Sequence, residues 1–345
     1  MNDFNYRRAG SVGEAVEAIA ADDGSNLIAG GTNLLDLWKY DLTHPRELID
    51  INGLTDLRTI TELPDGGLRL GALATNNATA YHPLVQRRYP LLTRTILAGA
   101  TAQIRNSATN GGNLLQRTRC YYFYDAASPC NKRMPGSGCP AIEGHNRLHA
   151  ILGESERCIA TYPSDMAVAL AALEAVVRVT GPGGEREIPL SDFHRLPGDT
   201  PELDNNLGED ELITAIDLPP TGYANHHSYL KLRDRNSYAF ALVSVATGLE
   251  LADGRITRAR IALGGVAAKP WRVPAAEESL IGKQPTAEAF AAAAELLLAG
   301  ATGYGHNDFK IELARRAIVR NGAMALDPSC QRPGAQPSLY TPQLP

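Results

Sequence analysis

Asn26-Leu27-Ile28-Ala29-Gly30-Gly31-Thr32-Asn33-Leu34-Leu35-Asp36-Leu37-Trp38-Lys39 reads as a short apolar strand that runs into a glycine turn and then a helix. Two adjacent glycines let the backbone take positive φ and let a ligand approach with no Cβ in the way, while N–H groups at the following helix start attract a phosphate. On the glycines alone an ordinary tight turn stays open as the other reading. Upstream, Ser11 and Glu14 have the spacing of a capping box and predict a helix through Ile19; downstream, residues 47–51 predict a further strand. The first sixty or so residues thus form a small α/β unit.

A second glycine pair lies in Arg105-Asn106-Ser107-Ala108-Thr109-Asn110-Gly111-Gly112-Asn113-Leu114, after an apolar helical stretch at 90–98. It is either a loop of turn-formers bonding their own backbone or, with the first glycine turn, one of two polar loops able to wrap a pyrophosphate. No G-x-G-x-x-G is present, so a nicotinamide site is not supported.

Next comes a concentration of sulfur. Cys120, Cys130, Cys139 and Cys158 follow C-x9-C-x8-C-x18-C, four of the chain's five cysteines within thirty-nine residues. Four thiolates suit an iron-sulfur cluster or a structural zinc. Zinc sites usually use C-x2-4-C knuckles, and gaps this long favour a larger object. Arg117, Arg119, Lys132, Arg133 and Arg157 are either solvated charges or an offset to a cluster's negative charge. His145 and His149 lie in the segment, but four cysteines already complete a ligand set. A disulfide framework is less suited, because 345 residues can fold without staples.

Beyond the cysteines, Pro163-Ser164-Asp165 marks a helix start before the apolar residues 166–173, with Asp165 as the expected cap. Strands follow at 175–180 and 185–189, and a domain boundary is expected around Leu218-Pro219-Pro220-Thr221-Gly222. Residues 228–232, 241–251 and 256–266 read as strands, the last two joined by an Asp253-Gly254 hairpin turn. Helices at 287–298 and 309–319 have the spacing to cover an antiparallel sheet. The Pro-rich residues 326–345 are expected to be extended, with Cys330 an incidental free thiol.

The net charge of -5 gives no basic field for nucleic acid. The longest apolar run, 291–299, is too short and Glu-interrupted to span a bilayer, and the first fifteen residues carry no apolar stretch that predicts an export signal. No catalytic acid, base or nucleophile stands out.

Five stretches, in order, resemble the FAD-binding subunit of the molybdenum hydroxylases, the xanthine dehydrogenase family. They are Ala29 to Leu34, Thr109 to Asn113, Ser164-Asp165-Met166, Ser237-Tyr238-Ala239-Phe240-Ala241-Leu242-Val243-Ser244, and Gly264-Gly265-Val266-Ala267. The resemblance implies an α+β chain. Its parts would be a two-part FAD-binding domain of the vanillyl-alcohol-oxidase/PCMH type (1–220, divided near 60) and a small antiparallel sheet domain with helices on one face (221–325). About fifty residues separate the second glycine loop from Ser164, where that family usually has a few, so about 117–160 looks like an insertion. Asn113 to Cys120, with Pro129-Cys130-Asn131-Lys132-Arg133 and Pro135-Gly136-Ser137-Gly138-Cys139, resembles the subtype found in bacterial periplasmic aldehyde oxidoreductase, whose insertion carries a [4Fe-4S] cluster.

By this resemblance, Ile28, Ala29, Gly30, Gly31, Thr32, Asn33 and Leu34 contact FAD from one side, and Thr109, Gly111, Gly112 and Asn113 from the other. Asp165 and Lys231 hold polar parts of the cofactor, residues near Tyr238 and Phe240 surround the isoalloxazine, and Cys120, Cys130, Cys139 and Cys158 hold the cluster. The chain would be the electron outlet of a heterotrimer. One partner would carry the molybdenum cofactor, where an aldehyde is oxidised, another two [2Fe-2S] clusters, and FAD would deliver electrons to an external acceptor. The periplasm would then be reached on a partner's export signal, the cytoplasm being the alternative. A self-contained FAD-dependent oxidase or dehydrogenase and a non-catalytic zinc- or cluster-stabilised subunit are the competing readings.

Overall fold

A computed structural model describes residues 1–236 and 238–331. Its first unit is a parallel three-stranded sheet of β1 (Asn5–Arg8), β2 (Ser25–Ile28) and β3 (Glu47–Asp50), with β3 in the middle. Helix α1 (Val12–Ala21) covers it with Ala15, Val16 and Ala18, and begins as the capping box predicts: Ser11 Oγ accepts from Glu14 N while Glu14 accepts from Gly10 N. Helix α2 (Leu34–Lys39) follows the glycine turn.

The second unit is a five-stranded antiparallel sheet whose order is not the chain order. Strands β4 (Ile60–Glu62) and β5 (Leu68–Gly71) continue into β8 (Leu212–Leu218), β6 (Val176–Gly181) and β7 (Gly184–Pro189). Between β5 and β6 run α3 (Asn76–Tyr81), α4 (Pro83–Arg88), α5 (Pro90–Ala98), α6 (Ala102–Ser107), α7 (Asn110–Leu114), α8 (Tyr121–Tyr124) and α9 (Asp165–Ala172). Helix α10 (Leu190–Phe193) lies between β7 and β8. The central α9 is buried along its whole length, because it packs on α5 and also against the third unit. Strands β4, β5 and β8 are short or flanked by turns and went without prediction.

The third unit is an antiparallel sheet of β9 (His226–Leu232), β10 (Val243–Ala252) and β11 (Arg255–Gly264), with β10 central. Helix α11 (Pro274–Glu278) leads to α12 (Ala287–Leu297) and α13 (Phe309–Leu326), which bury Phe290, Leu297, Ala314 and Ile318 against the sheet. Helix α13 outruns the predicted end by seven residues (319 to 326): Asn321-Gly322 would favour a stop, but Gly322 packs against the Phe290 ring and buried Asn321 bonds the sheet at Val245 O and Thr247 Oγ1, so tertiary contacts carry the helix on. Cys330 is therefore not in an extended tail: it is a free thiol, fully buried in a 3-10 turn, Pro328–Cys330, whose Pro328 carbonyl accepts from Arg94. The rest of the predicted tail, residues 332–345, and Ser237 lie outside the described residues.

Candidate cofactor site

The two glycine loops meet backbone to backbone. A Cβ on Gly30 would stand 1.9 Å from the Ser107 carbonyl oxygen, and Ser107 Oγ donates to Gly30 O at 2.9 Å. Gly31 turns the chain at φ +69°, a conformation that L side chains resist. Ile28 to Leu34 are left at most half-buried, Thr32 being exposed. In the second loop Thr109 caps α7 by accepting from Gly112 N, buried Asn110 is tied to Thr79 and Gly71, and Gly111 packs on Ala72. Gly112 stays exposed.

Beside these loops lies a cleft. Its walls come from the start of α9 (Ser164, Asp165), from the third unit (Phe240, Ser244, Gly265) and from the cysteine segment. The glycine loops border it rather than line it. Asn113 Oδ1 accepts from Ser164 Oγ, Asn113 O accepts from Tyr162, and Asn33 Oδ1 accepts from Arg119, all three donors belonging to the cleft wall. Arg119 also pairs with Asp36 of α2 at 2.7 Å and lies over the Phe240 ring, so one side chain joins the first loop, the cysteine segment and the third unit. Tyr238 is exposed and holds Arg235 through its carbonyl.

Asp165 is not the helix cap. Ser164 is, through Ala167 N, which frees the Asp165 carboxylate to accept from Tyr229 and, at 2.7 Å, from Lys231 Nζ. Lys231 is buried behind Asp165 and reaches Ala98 O, so it supports a wall residue and does not itself line the cleft. Burial, followed by the Asp165 charge, pushes the Tyr229 hydroxyl pKa well up, which keeps that hydroxyl a donor. A half-exposed glycine backbone continuous with a cleft that ends in fixed carboxylate and hydroxyl groups fits a flavin dinucleotide, diphosphate on the loops and ring system in the cleft.

A second, small cavity adjoins the first and is lined by Cys120, Cys130, Cys139 and Cys158. All are free thiols. Among the described residues no three His, Cys, Asp or Glu side chains are placed to hold a metal ion, so the sulfurs surround a space instead of converging on a point. Burial pushes the Cys120 thiol up to about 12, while a hydrogen bond from Cys158 lowers the pKa of Cys139. Two sulfurs already have hydrogen-bond partners: Cys158 accepts from Ala160 N at 3.4 Å, and Cys120 Sγ lies 3.0 Å from His149 Nε2, with the direction of that bond set by the imidazole tautomer. That donor set fits a thiolate-ligated group.

The basic residues of the segment serve another purpose than offsetting charge. Arg117 and Lys132 both bind Asp204, Arg119 binds Asp36, Arg157 faces Asp199, and Arg133 donates to the Ser128 carbonyl. All but Arg133, whose partner lies within the segment, tie it to the rest of the chain, and Lys132 and Arg157 also line the cavity. His145 is exposed near His306, whereas His149 is buried against Cys120. The positions of His149 and Arg119 had no signal in sequence beyond their presence among the cysteines.

Comparison with known proteins agrees with this layout. Residues 2–221 match the family described as FAD binding domain in molybdopterin dehydrogenase, and residues 228–321 the CO dehydrogenase flavoprotein C-terminal domain. The chain is 50% identical to the aldehyde oxidoreductase FAD-binding subunit PaoB of Escherichia coli K12, over 92% of this chain and 97% of that one. It is 29% identical to the carbon monoxide dehydrogenase medium chain of Hydrogenophaga pseudoflava, over 92% and 95%. Among solved structures, quinoline 2-oxidoreductase from Pseudomonas putida 86 superposes with a TM-score of 0.72 at 26% identity, covering 95% of this chain and 98% of that one. Carbon monoxide dehydrogenase from Hydrogenophaga pseudoflava superposes with a TM-score of 0.73 at 28% identity, covering 94% and 97%. With both of its parts matched in order and a cleft between them that fits the flavin, the chain belongs to the FAD-binding subunits of the molybdenum hydroxylase family.

Proposed function

We propose that the chain is the FAD- and [4Fe-4S]-binding electron-transfer subunit of a molybdenum-dependent aldehyde oxidoreductase. The observation that carries the reading is the convergence of four cysteines, far apart in sequence, on one cavity that adjoins the flavin cleft. Four cysteines lining one cavity, with none of the short C-x2-4-C knuckles of structural zinc sites, support a four-iron cluster over one tetrahedral zinc, whose sulfurs would sit about 2.3 Å from the metal. Half-identity to an aldehyde oxidoreductase FAD-binding subunit supports the substrate class, and likeness to carbon monoxide dehydrogenase medium chains supports a multisubunit complex, read here as a heterotrimer with molybdenum-cofactor and [2Fe-2S] partners. On this reading the complex is periplasmic, carried by a partner's export signal. No helix among the described residues is long and apolar enough to cross a membrane.

Bound FAD supplies the exchange of electrons, singly or in pairs, between the partners' clusters and an external acceptor. The chain's residues do the positioning: the glycine loops receive the diphosphate, Asn113 and Ser164 fix the junction of loop and cleft, and Asp165, held by Lys231 and Tyr229, presents a fixed carboxylate. An anaerobic dithionite titration followed by visible absorption and EPR, with metal and flavin assayed on the same sample, tests the proposal. The expected result is about one flavin and about four irons per chain. Zinc without iron removes the cluster, and aldehyde turnover by the isolated chain removes the dependence on a molybdenum partner.

A further inference from the structure

Cys120 and His149 belong to the walls of both cavities. The His149 ring, 2% exposed, brings Nε2 to 3.0 Å from Cys120 Sγ. Its position is set from the third unit: Lys310, fully buried on α13, donates from Nζ to His149 O at 2.7 Å and to Gly265 O at 2.6 Å, and Gly265 lines the cleft. Asn307 adds a bond to Ala150 O at 2.8 Å, and His149 N reaches Asn146 O at 2.9 Å. The His149 backbone is thus fixed between the two cavities, and its ring, whose buried Nδ1 has no hydrogen-bond partner, meets Cys120 through Nε2.

A hydrogen bond to a ligating sulfur draws negative charge from it and stabilises the more negative, reduced form of an iron-sulfur cluster. We propose that His149 is a positioning residue for the iron-sulfur centre, donating Nε2–H to the Cys120 sulfur and raising the centre's reduction potential at the corner that faces the flavin cleft. The proposal rests on the four-cysteine cluster proposed above. It assigns Cys120 as the ligand shared with the flavin wall, and His149 as the group that ties the two redox sites to one another.

The test uses the assembled complex, with iron and flavin quantified first; a wild-type complex whose chain lacks its iron overturns the cluster reading itself, before His149 is at issue. In EPR-monitored potentiometry, H149L is expected to shift the potential of the cysteine-held cluster downward and to alter the flavin's visible spectrum, with the partner [2Fe-2S] signals unmoved. H149Q, which keeps an N–H donor, is expected to restore most of the potential. Full iron content with an unshifted potential in H149L overturns the proposal. A readout independent of substitution is pulsed EPR of the reduced wild-type cluster labelled with 15N-histidine. A weakly coupled imidazole nitrogen is expected, and its absence overturns the assignment even where H149L fails to fold.

Discussion

The third unit and the cysteine segment solve the problem of holding a shape in opposite ways. In the third unit, β9 to β11 and two helices bury a continuous apolar core, with Phe290, Val245, Ile261 and Leu263 fully covered. Residues 117–160 contain one four-residue helix, α8, and an isolated bridge between Ser155 and Cys158. That segment is held by ion pairs at its base, by side chains bonded to loop carbonyls, and by strand-like bonds from Ile151 and Leu152 to Val266 O. The lesson is that a stretch with almost no helix or strand to lay its apolar residues along one face takes its order from neighbours and, on the proposed reading, from its bound group.

If this contrast is right, damage to each region has a separate signature. The largest effect is expected from F290A in the third unit, where loss of a fully buried ring costs about 4 kcal/mol of global stability, read by urea denaturation. D204A strips Lys132 and Arg117 of their shared carboxylate, leaving the buried Lys132 ammonium unpaired. It is expected to cost about 3 kcal/mol, confined to the cysteine segment. The signature is faster proteolysis between residues 117 and 160 and lost iron, with flavin retained; unchanged cleavage there would break the comparison.

G30A is expected to do the reverse. Its Cβ collides with the Ser107 carbonyl and parts the two glycine loops, so the flavin-to-protein ratio should fall severalfold while iron stays.

Acidification gives a milder version of D204A. Burial raises the Asp204 pKa, but Lys132 and then Arg117 outweigh it and hold the carboxyl below its ordinary value. A depressed folded pKa contributes stability that is present above the unfolded value of about 3.9 and is lost as pH falls through the folded one. Protease sensitivity of the segment should therefore rise below about pH 4 and stay flat above about pH 5. The smallest effect is expected for R315A, whose exposed pairs with Glu295 and Glu312 lie on the solvent side of α13, leaving melting, iron and flavin unchanged.

Local chemistry was legible where local physics decides. Gly30-Gly31 announced a turn of positive φ, Ser11 and Glu14 a capped helix, and Asp253-Gly254 a hairpin that joins β10 and β11. The cysteines stood out by kind and number, and the structure places all four on one cavity. The cap of α9 was misassigned by one residue because Ser and Asp are both good caps, and only the packing of Tyr229 and Lys231 behind Asp165 draws its carboxylate away from the helix end. Cys330 was misplaced because the bond from Arg94 to Pro328, which helps hold its turn in the body of the protein, spans 234 residues.

The sequence by itself determined the first glycine turn, the capped start of α1 and the hairpin turn of β10 and β11, since each depends on residues a few positions apart. Tertiary structure alone decided that β8 lies between β5 and β6, that Asp204 anchors the cysteine segment and that His149 stands between the two cavities. Those contacts join residues such as Arg69 and Asp217, 148 positions apart, and no local preference records which distant surfaces bury each other most favourably.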